Sequence, residues 1–352
     1  MRAGGTTGEQ ALMTILKMNT SEYFISGEYL PLLINVLERR GISEKALAEA
    51  VGSPLEPWKQ PGARIPMEWF DKVVRRAVEL TGEPRLGWEF GASMTLSTHG
   101  FLGYAAMSSE TLQDAIELAV KFYRTRMTLI DLQFFIDGDM AVLQFEELVS
   151  LNDVAPFAVE SLISSFHFMG MKLLPIDQLD GELRFAYPEP EGFDRVRKLI
   201  PVPCLFDCAY NQMRFPAWRL EQRLRFADPR LARMAAAQCE QEMSSIKAPP
   251  ALLGKVRRII LAHSGRFPGV EDVAGELHMS SRTIKRKLHQ LGTSYQQILD
   301  DLRKGLAVEY LSQSERTVDD IALLLGYSDA SNFARAFRRW TGKSPTDYRE
   351  QG

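Results

Sequence analysis

In the last third of the chain, Arg282, Lys285, Arg286 and His289 fall at the i, i+3, i+4, i+7 spacing of one helix face. Arg and Lys on a groove-facing helix can donate hydrogen bonds to guanine O6 and N7, so Arg282, Lys285 and Arg286 are candidate base readers. Outside a nucleic-acid setting such a face is more often only solvated, and its surroundings must decide. Other reactive chemistry is sparse. The sequence contains no GxSxG, HExxH, P-loop or GxGxxG motif. Asp153, Glu160 and the neighbouring Glu146 and Glu147 show no spacing that singles out acid–base catalysis. Cys204, Cys208 and Cys239 form no CxxC, which argues against a disulfide framework or a four-ligand zinc site and leaves them as small apolar residues in a reducing setting. No catalytic residue, metal or cofactor is expected.

The elements around the basic face form an internal repeat. Val270-Glu271-Asp272-Val273-Ala274-Gly275-Glu276-Leu277 matches Val318-Asp319-Asp320-Ile321-Ala322-Leu323-Leu324-Leu325 at an offset of 48. Ile284-Lys285-Arg286-Lys287-Leu288 then matches Phe333-Ala334-Arg335-Ala336-Phe337 at an offset of 49. Each copy reads as a short bracing helix, a tight turn and a second helix with its apolar residues inward, the layout of a helix-turn-helix unit. Gly326 suits a left-handed helix end. Ser280-Ser281 and Ser328-Asp329 can cap the second helices, and Thr317 with Asp320 can box the start of a first helix. Residues 295–313 are long enough for one connecting helix, with Ile298, Leu302, Leu306, Tyr310 and Leu311 available to hold both units.

Residues 315–349, ERTVDDIALLLGYSDASNFARAFRRWTGKSPTDYR, closely resemble the C-terminal signature of the AraC/XylS family of bacterial transcription regulators. The matching residues include Ile321, Ala322, Gly326, Tyr327, Ser331, Phe333, Phe337, Gly342, Ser344, Pro345, Tyr348 and Arg349. Residues 273–303 resemble the corresponding first half of that module. The resemblance implies that Ser331, Asn332 and Arg335 also face bases, and assigns Lys287, Arg338, Arg339 and Lys343 to phosphates, which add affinity without reading sequence. Phe333, Phe337, Trp340, Ile284 and Leu288 are assigned to the core.

Upstream, residues 97–124 are similar to the effector domain of the subgroup whose N-terminal part is classed as arabinose-binding type, as in regulators like the ornithine-utilisation regulator. An effector that is amino-acid-like or lipid-like is implied, as are double-stranded promoter DNA, RNA polymerase and a second copy of the chain as partners. Activation is the expected sense. The alternative is a domain that serves only for dimerisation or partner docking. His99, Arg124, Arg126 and His167 lie near apolar segments and are candidate contacts for a ligand's polar head, although a hydrogen-bonded structural role suits each as well.

The fold expected is an α+β N-terminal effector domain of helices and antiparallel strands, followed by an all-α C-terminal domain with two helix-turn-helix units. Helical periodicity marks 31–40, 67–80 and 112–124, a hairpin turns at Asp137-Gly138-Asp139, a helix spans about 153–173, and strands lie near 182–187 and 204–215. The expected division is a flexible tail over 1–18, an effector domain over 19–216, a helical dimerisation and linker segment over 217–250, and a DNA-binding domain over 251–352. Its helix-turn-helix units fall at about 268–292 and 316–341. The boundary is placed at Pro249-Pro250, because Pro cannot continue a helix. The formal charge of -3 hides an asymmetry: residues 251–352 hold 16 Lys+Arg against 12 Asp+Glu, a net of +4, and the first 250 residues a net of -7. No stretch approaches the roughly 18 apolar residues of a membrane span, so a cytoplasmic protein without a membrane partner is expected.

Overall fold

A computed structural model describes residues 23–176, 180–246, 252–263, 267–313 and 316–349. The tail over 1–18 and the Pro249-Pro250 linker lie outside the described residues. The first domain opens on β1 (Phe24–Ser26), paired antiparallel with β2 (Arg64–Pro66). Around this pair run α1 (Leu30–Arg39), α2 (Glu44–Val51), α3 (Met67–Thr81), α4 (Leu86–Ser93), α5 (Gly100–Met107) and α6 (Leu112–Phe122). In α6 the i, i+3, i+4 positions Leu112, Ala115, Ile116 and Ala119 are buried, and Thr111 with Asp114 forms the capping box.

The chain then changes from helices to strands. β3 (Ile130–Asp137) and β4 (Met140–Glu147) form the hairpin, with Asp137 opposite Met140. α7 (Ala155–Leu173) follows, then β5 (Glu182–Arg184), the short α8 (Asp194–Arg197), β6 (Cys204–Leu205) and β7 (Asn211–Pro216). These strands build a five-stranded sheet in the order β3-β4-β7-β5-β6, antiparallel except for the short parallel pair β5–β6. Helices and sheet share one core that runs from Ile25 to Leu224, which makes the domain α+β.

The helical stretch expected over 218–246 is broken. A tight helical turn covers Ala217–Glu221, and α9 begins only at Pro229 and ends at Ser244. The Asp228 carboxylate accepts from the N–H groups of Arg230 and Leu231 at 3.0 and 3.1 Å, and Pro229 takes the first helical position, where its missing N–H is no loss. Leu220 and Leu224 therefore join the domain core, while Leu231 and Met234 on α9 face solvent.

The second domain contains α10 (Leu252–Ala262), α11 (Val270–Glu276), α12 (Ser281–Gln290), α13 (Tyr295–Gln313), α14 (Val318–Leu324), α15 (Ala330–Thr341) and α16 (Pro345–Arg349). It holds two small cores. The first half of α13 gives Ile298 and Leu302 to one with Val273, Ile284 and Leu288; the second half gives Val308 and Leu311 to the other with Ile321, Phe333 and Phe337. Helix α13 is thus the shared wall of two helix-turn-helix units. No helix of the described residues is long and apolar enough to cross a membrane.

Candidate DNA-reading surface and effector cavity

Helix α12 starts where Ser280 Oγ accepts the Thr283 N–H at 3.1 Å. Ile284 and Leu288 are fully buried beneath it, and this fixes its rotation: Arg282, Lys285, Arg286 and His289 all face solvent, and Lys287 is half-buried. Lys285 stands 3.8 Å from Glu271 of the bracing helix, an exposed pair of small energetic weight that leaves the side chain available.

Helix α15 is built the same way on Phe333 and Phe337, and its cap adds a feature of its own. Asp329 accepts the Asn332 N–H at 2.7 Å, and the Asn332 amide donates back to Ser328 Oγ at 2.9 Å and to Asp329 at 2.6 Å. These donors hold the Asp329 carboxyl below its usual range. Asn332 Oδ1 in turn accepts from Arg335 Nη2 at 2.6 Å, so Asn332 and Arg335 are presented as one bonded unit with Ser331 exposed beside them. Arg338 and Lys343 are exposed, whereas Arg339 is drawn to Asp300 of α13 at 3.2 Å.

Arg303, which the sequence did not mark, joins the two units. Its guanidinium lies 4.9 Å from the ring centre of Phe267, at the entry to the first unit, and 4.8 Å from that of Tyr327, in the turn of the second. Gly326 lets the turn pass this stack: its φ is +74°, and an added Cβ would lie 3.2 Å from Phe267 and 3.3 Å from Arg303.

In the first domain, a partly open cavity lies between α5, α6, α7 and the faces of β4, β5 and β7. Small residues on the helix faces that line it, Ala106, Ala115, Ala119 and Gly170, leave it room. Leu102, Ile116, Phe166 and Met169 supply apolar walls. His99 and His167 both line it and are buried, and burial holds both imidazoles down to about 4, so they are neutral near pH 7. Their bonding differs. His99 is engaged at both nitrogens, 2.8 Å from Tyr29 Oη and 3.3 Å from Ser165 Oγ. His167 has no hydrogen-bond partner among the described residues and touches the edge of Phe168.

Comparison with known proteins places both halves. A model of the arabinose-binding domain of AraC transcription regulators matches residues 41–224, and a helix-turn-helix domain model matches 273–351. The chain is 37% identical to the ornithine utilization regulator of Pseudomonas aeruginosa over 95% of its own length and 98% of that protein. The chain belongs to the AraC family of transcription regulators. It is also 28% identical to an uncharacterised HTH-type transcriptional regulator of Mycobacterium tuberculosis, over 91% of the chain and 95% of that protein. A solved structure, the transcriptional regulator CdpR from Pseudomonas aeruginosa, is 22% identical and covers 90% of this chain and 98% of that one, with a TM-score of 0.42. The curated relatives named here are regulators.

In this AraC-type regulator the four polar residues expected near apolar segments separate. His99 and His167 line the cavity; Arg124 and Arg126 do not. Arg124 is paired with Asp131 at 3.2 Å. Arg126, 6% exposed, donates to Glu28 at 2.6 Å and also to Glu242 on α9, so it ties the chain's first strand region to its last helix before the DNA-binding half. Both arginines are thus engaged in ion pairs away from the cavity.

Proposed function

We propose that the protein is an effector-responsive transcription regulator that binds promoter DNA as a homodimer. Each copy reads one half-site through Arg282, Lys285 and Arg286 of α12 and Ser331, Asn332 and Arg335 of α15, with Lys287, Arg338, Arg339 and Lys343 directed to phosphates. The observation that carries the effector half of this reading is the cavity's connection to the linker side of its domain. His99, in the cavity wall, contacts Tyr29; the adjacent Glu28 holds Arg126, and Arg126 holds Glu242 near the end of α9. A ligand that shifts the His99 wall changes the seat of the last helix before the DNA-binding domain, and so biases the geometry in which two readers meet DNA. Exposed Leu231 and Met234 on α9 support that helix as the place where two copies meet. An activating sense and contact with RNA polymerase rest on the family resemblance.

The test is thermal stability across a metabolite panel, followed by DNA binding with any compound that stabilises the protein. A compound that occupies the native state must raise the melting temperature, and it must also change promoter affinity. Stabilising compounds that leave promoter binding unaltered would reduce the first domain to a dimerisation device.

A further inference from the structure

We propose, resting on the effector reading above, that the cavity takes an uncharged amphiphile: a long hydrocarbon body with one hydrogen-bonding end, such as an alcohol, ester or lactone. Its walls are apolar from α5 across α6 to α7, and its charged residues gather at one side on β5, β7 and the segment before β5. There the charges are already matched. Asp180 is bridged to Arg219, Glu182 lies 2.7 Å from Arg184 and 3.3 Å from Arg214, and Arg214 reaches Asp137 at 2.7 Å. An ammonium or carboxylate brought in by a ligand would have to break one of these bridges or go unpaired in apolar surroundings, and either is costly. The polar group left over is His167. Buried, facing the cavity and unpartnered among the described residues, its neutral ring can give or take a hydrogen bond with one uncharged end. An α-amino acid such as ornithine offers the opposite chemistry, several charges and little hydrocarbon.

The experiment is a melting-temperature titration of the full chain with 1-decanol, sodium decanoate at pH 8 and L-ornithine. The first two share a chain length and differ in charge. A saturable rise with 1-decanol, and none with the other two, is expected. His167→Phe should melt like the parent without ligand yet bind 1-decanol about tenfold more weakly, the size of one lost hydrogen bond. His167→Gln, which keeps a donor and acceptor, should retain binding, and Ala119→Phe, which fills the space, should abolish it. No saturable rise with 1-decanol, an equal rise with decanoate, or unchanged binding in His167→Phe would overturn the proposal. Stabilisation by L-ornithine alone would overturn the ligand class and leave the effector reading standing. Stabilisation by 1-decanol without any change in promoter affinity would do the reverse.

Discussion

At the scale of single residues, the side chains proposed to read DNA differ in how they are held. Arg282 and Arg286 project from α12 into solvent without an ion pair among the described residues, whereas Arg335 is braced by Asn332, itself locked into the cap of α15. Arg286→Ala and Arg335→Ala should each cost about 1–3 kcal/mol and relax preference at one base position, read by competition with single-base operator variants. Asn332→Ala should do more than remove one contact, because it also frees Arg335 and weakens the cap. A second residue governs pH dependence. Glu160 is fully buried and bonded to Arg85, yet one oxygen has no partner among the described residues, and burial pushes its carboxyl up to about 8. The folded state therefore holds this proton more tightly than the unfolded chain, whose carboxyl titrates near 4.5. Stability from Glu160 is complete below the lower value and is lost as pH rises toward the upper one. Glu160→Gln should flatten that decline, seen as a melting temperature that varies a few degrees less than the parent's between pH 5 and 8.

Elements show which signals in the sequence carried structure and which did not. The doubled helix-turn-helix was legible because the second helix of each unit is short, capped by its own Ser or Asp, and turned by two apolar residues four apart, so local pattern and final packing agree. The β3–β4 hairpin was legible from two β-rich runs about the Asp137-Gly138-Asp139 turn. The helical composition on both sides hid the break at Asp228-Pro229. The cavity was not legible: Ala115 and Ala119 sit at ordinary core positions of an amphipathic helix, and only the tertiary arrangement shows that no partner fills the space they leave. Nor could spacing separate His167 from His99 or Arg126, since the groups that engage the latter two, Tyr29, Ser165, Glu28 and Glu242, lie far off in the sequence and His167 is left without one among the described residues. The corrected α9 sharpens the expectation for dimerisation. Leu220 and Leu224 belong to the core, so their replacement should unfold the domain, whereas Leu231→Glu with Met234→Glu should leave the fold intact and weaken self-association about tenfold or more. Analytical ultracentrifugation of the double variant decides it, and an unchanged sedimentation profile would remove α9 from the interface.

At the scale of the whole molecule, the two domains touch through backbone as well as charge. An added Cβ at Gly305, in the middle of α13, would lie 2.2 Å from Ala209 Cα, so only glycine lets this helix seat there. Beside it Lys304 pairs with Asp207 at 2.7 Å, the Ser150 N–H donates to the Leu291 carbonyl at 3.2 Å, and Arg257 lies close enough to act electrostatically on both Glu147 and Asp301. The contact grips the wall shared by both helix-turn-helix units and leaves Arg282, Arg286 and Arg335 exposed. It also holds a domain of net -7 against one of net +4, which should weaken attraction to DNA of any sequence. Gly305→Leu separates these effects. Within the fragment 251–352, Leu is the better helix former by up to about 1 kcal/mol and should raise the melting temperature. In the full chain the same change should block docking, enlarge the radius of gyration in solution scattering, and bring affinity for random DNA up toward that of the fragment. If the full chain keeps its dimensions and its weaker binding to random DNA after Gly305→Leu, the docked arrangement does not govern access to DNA.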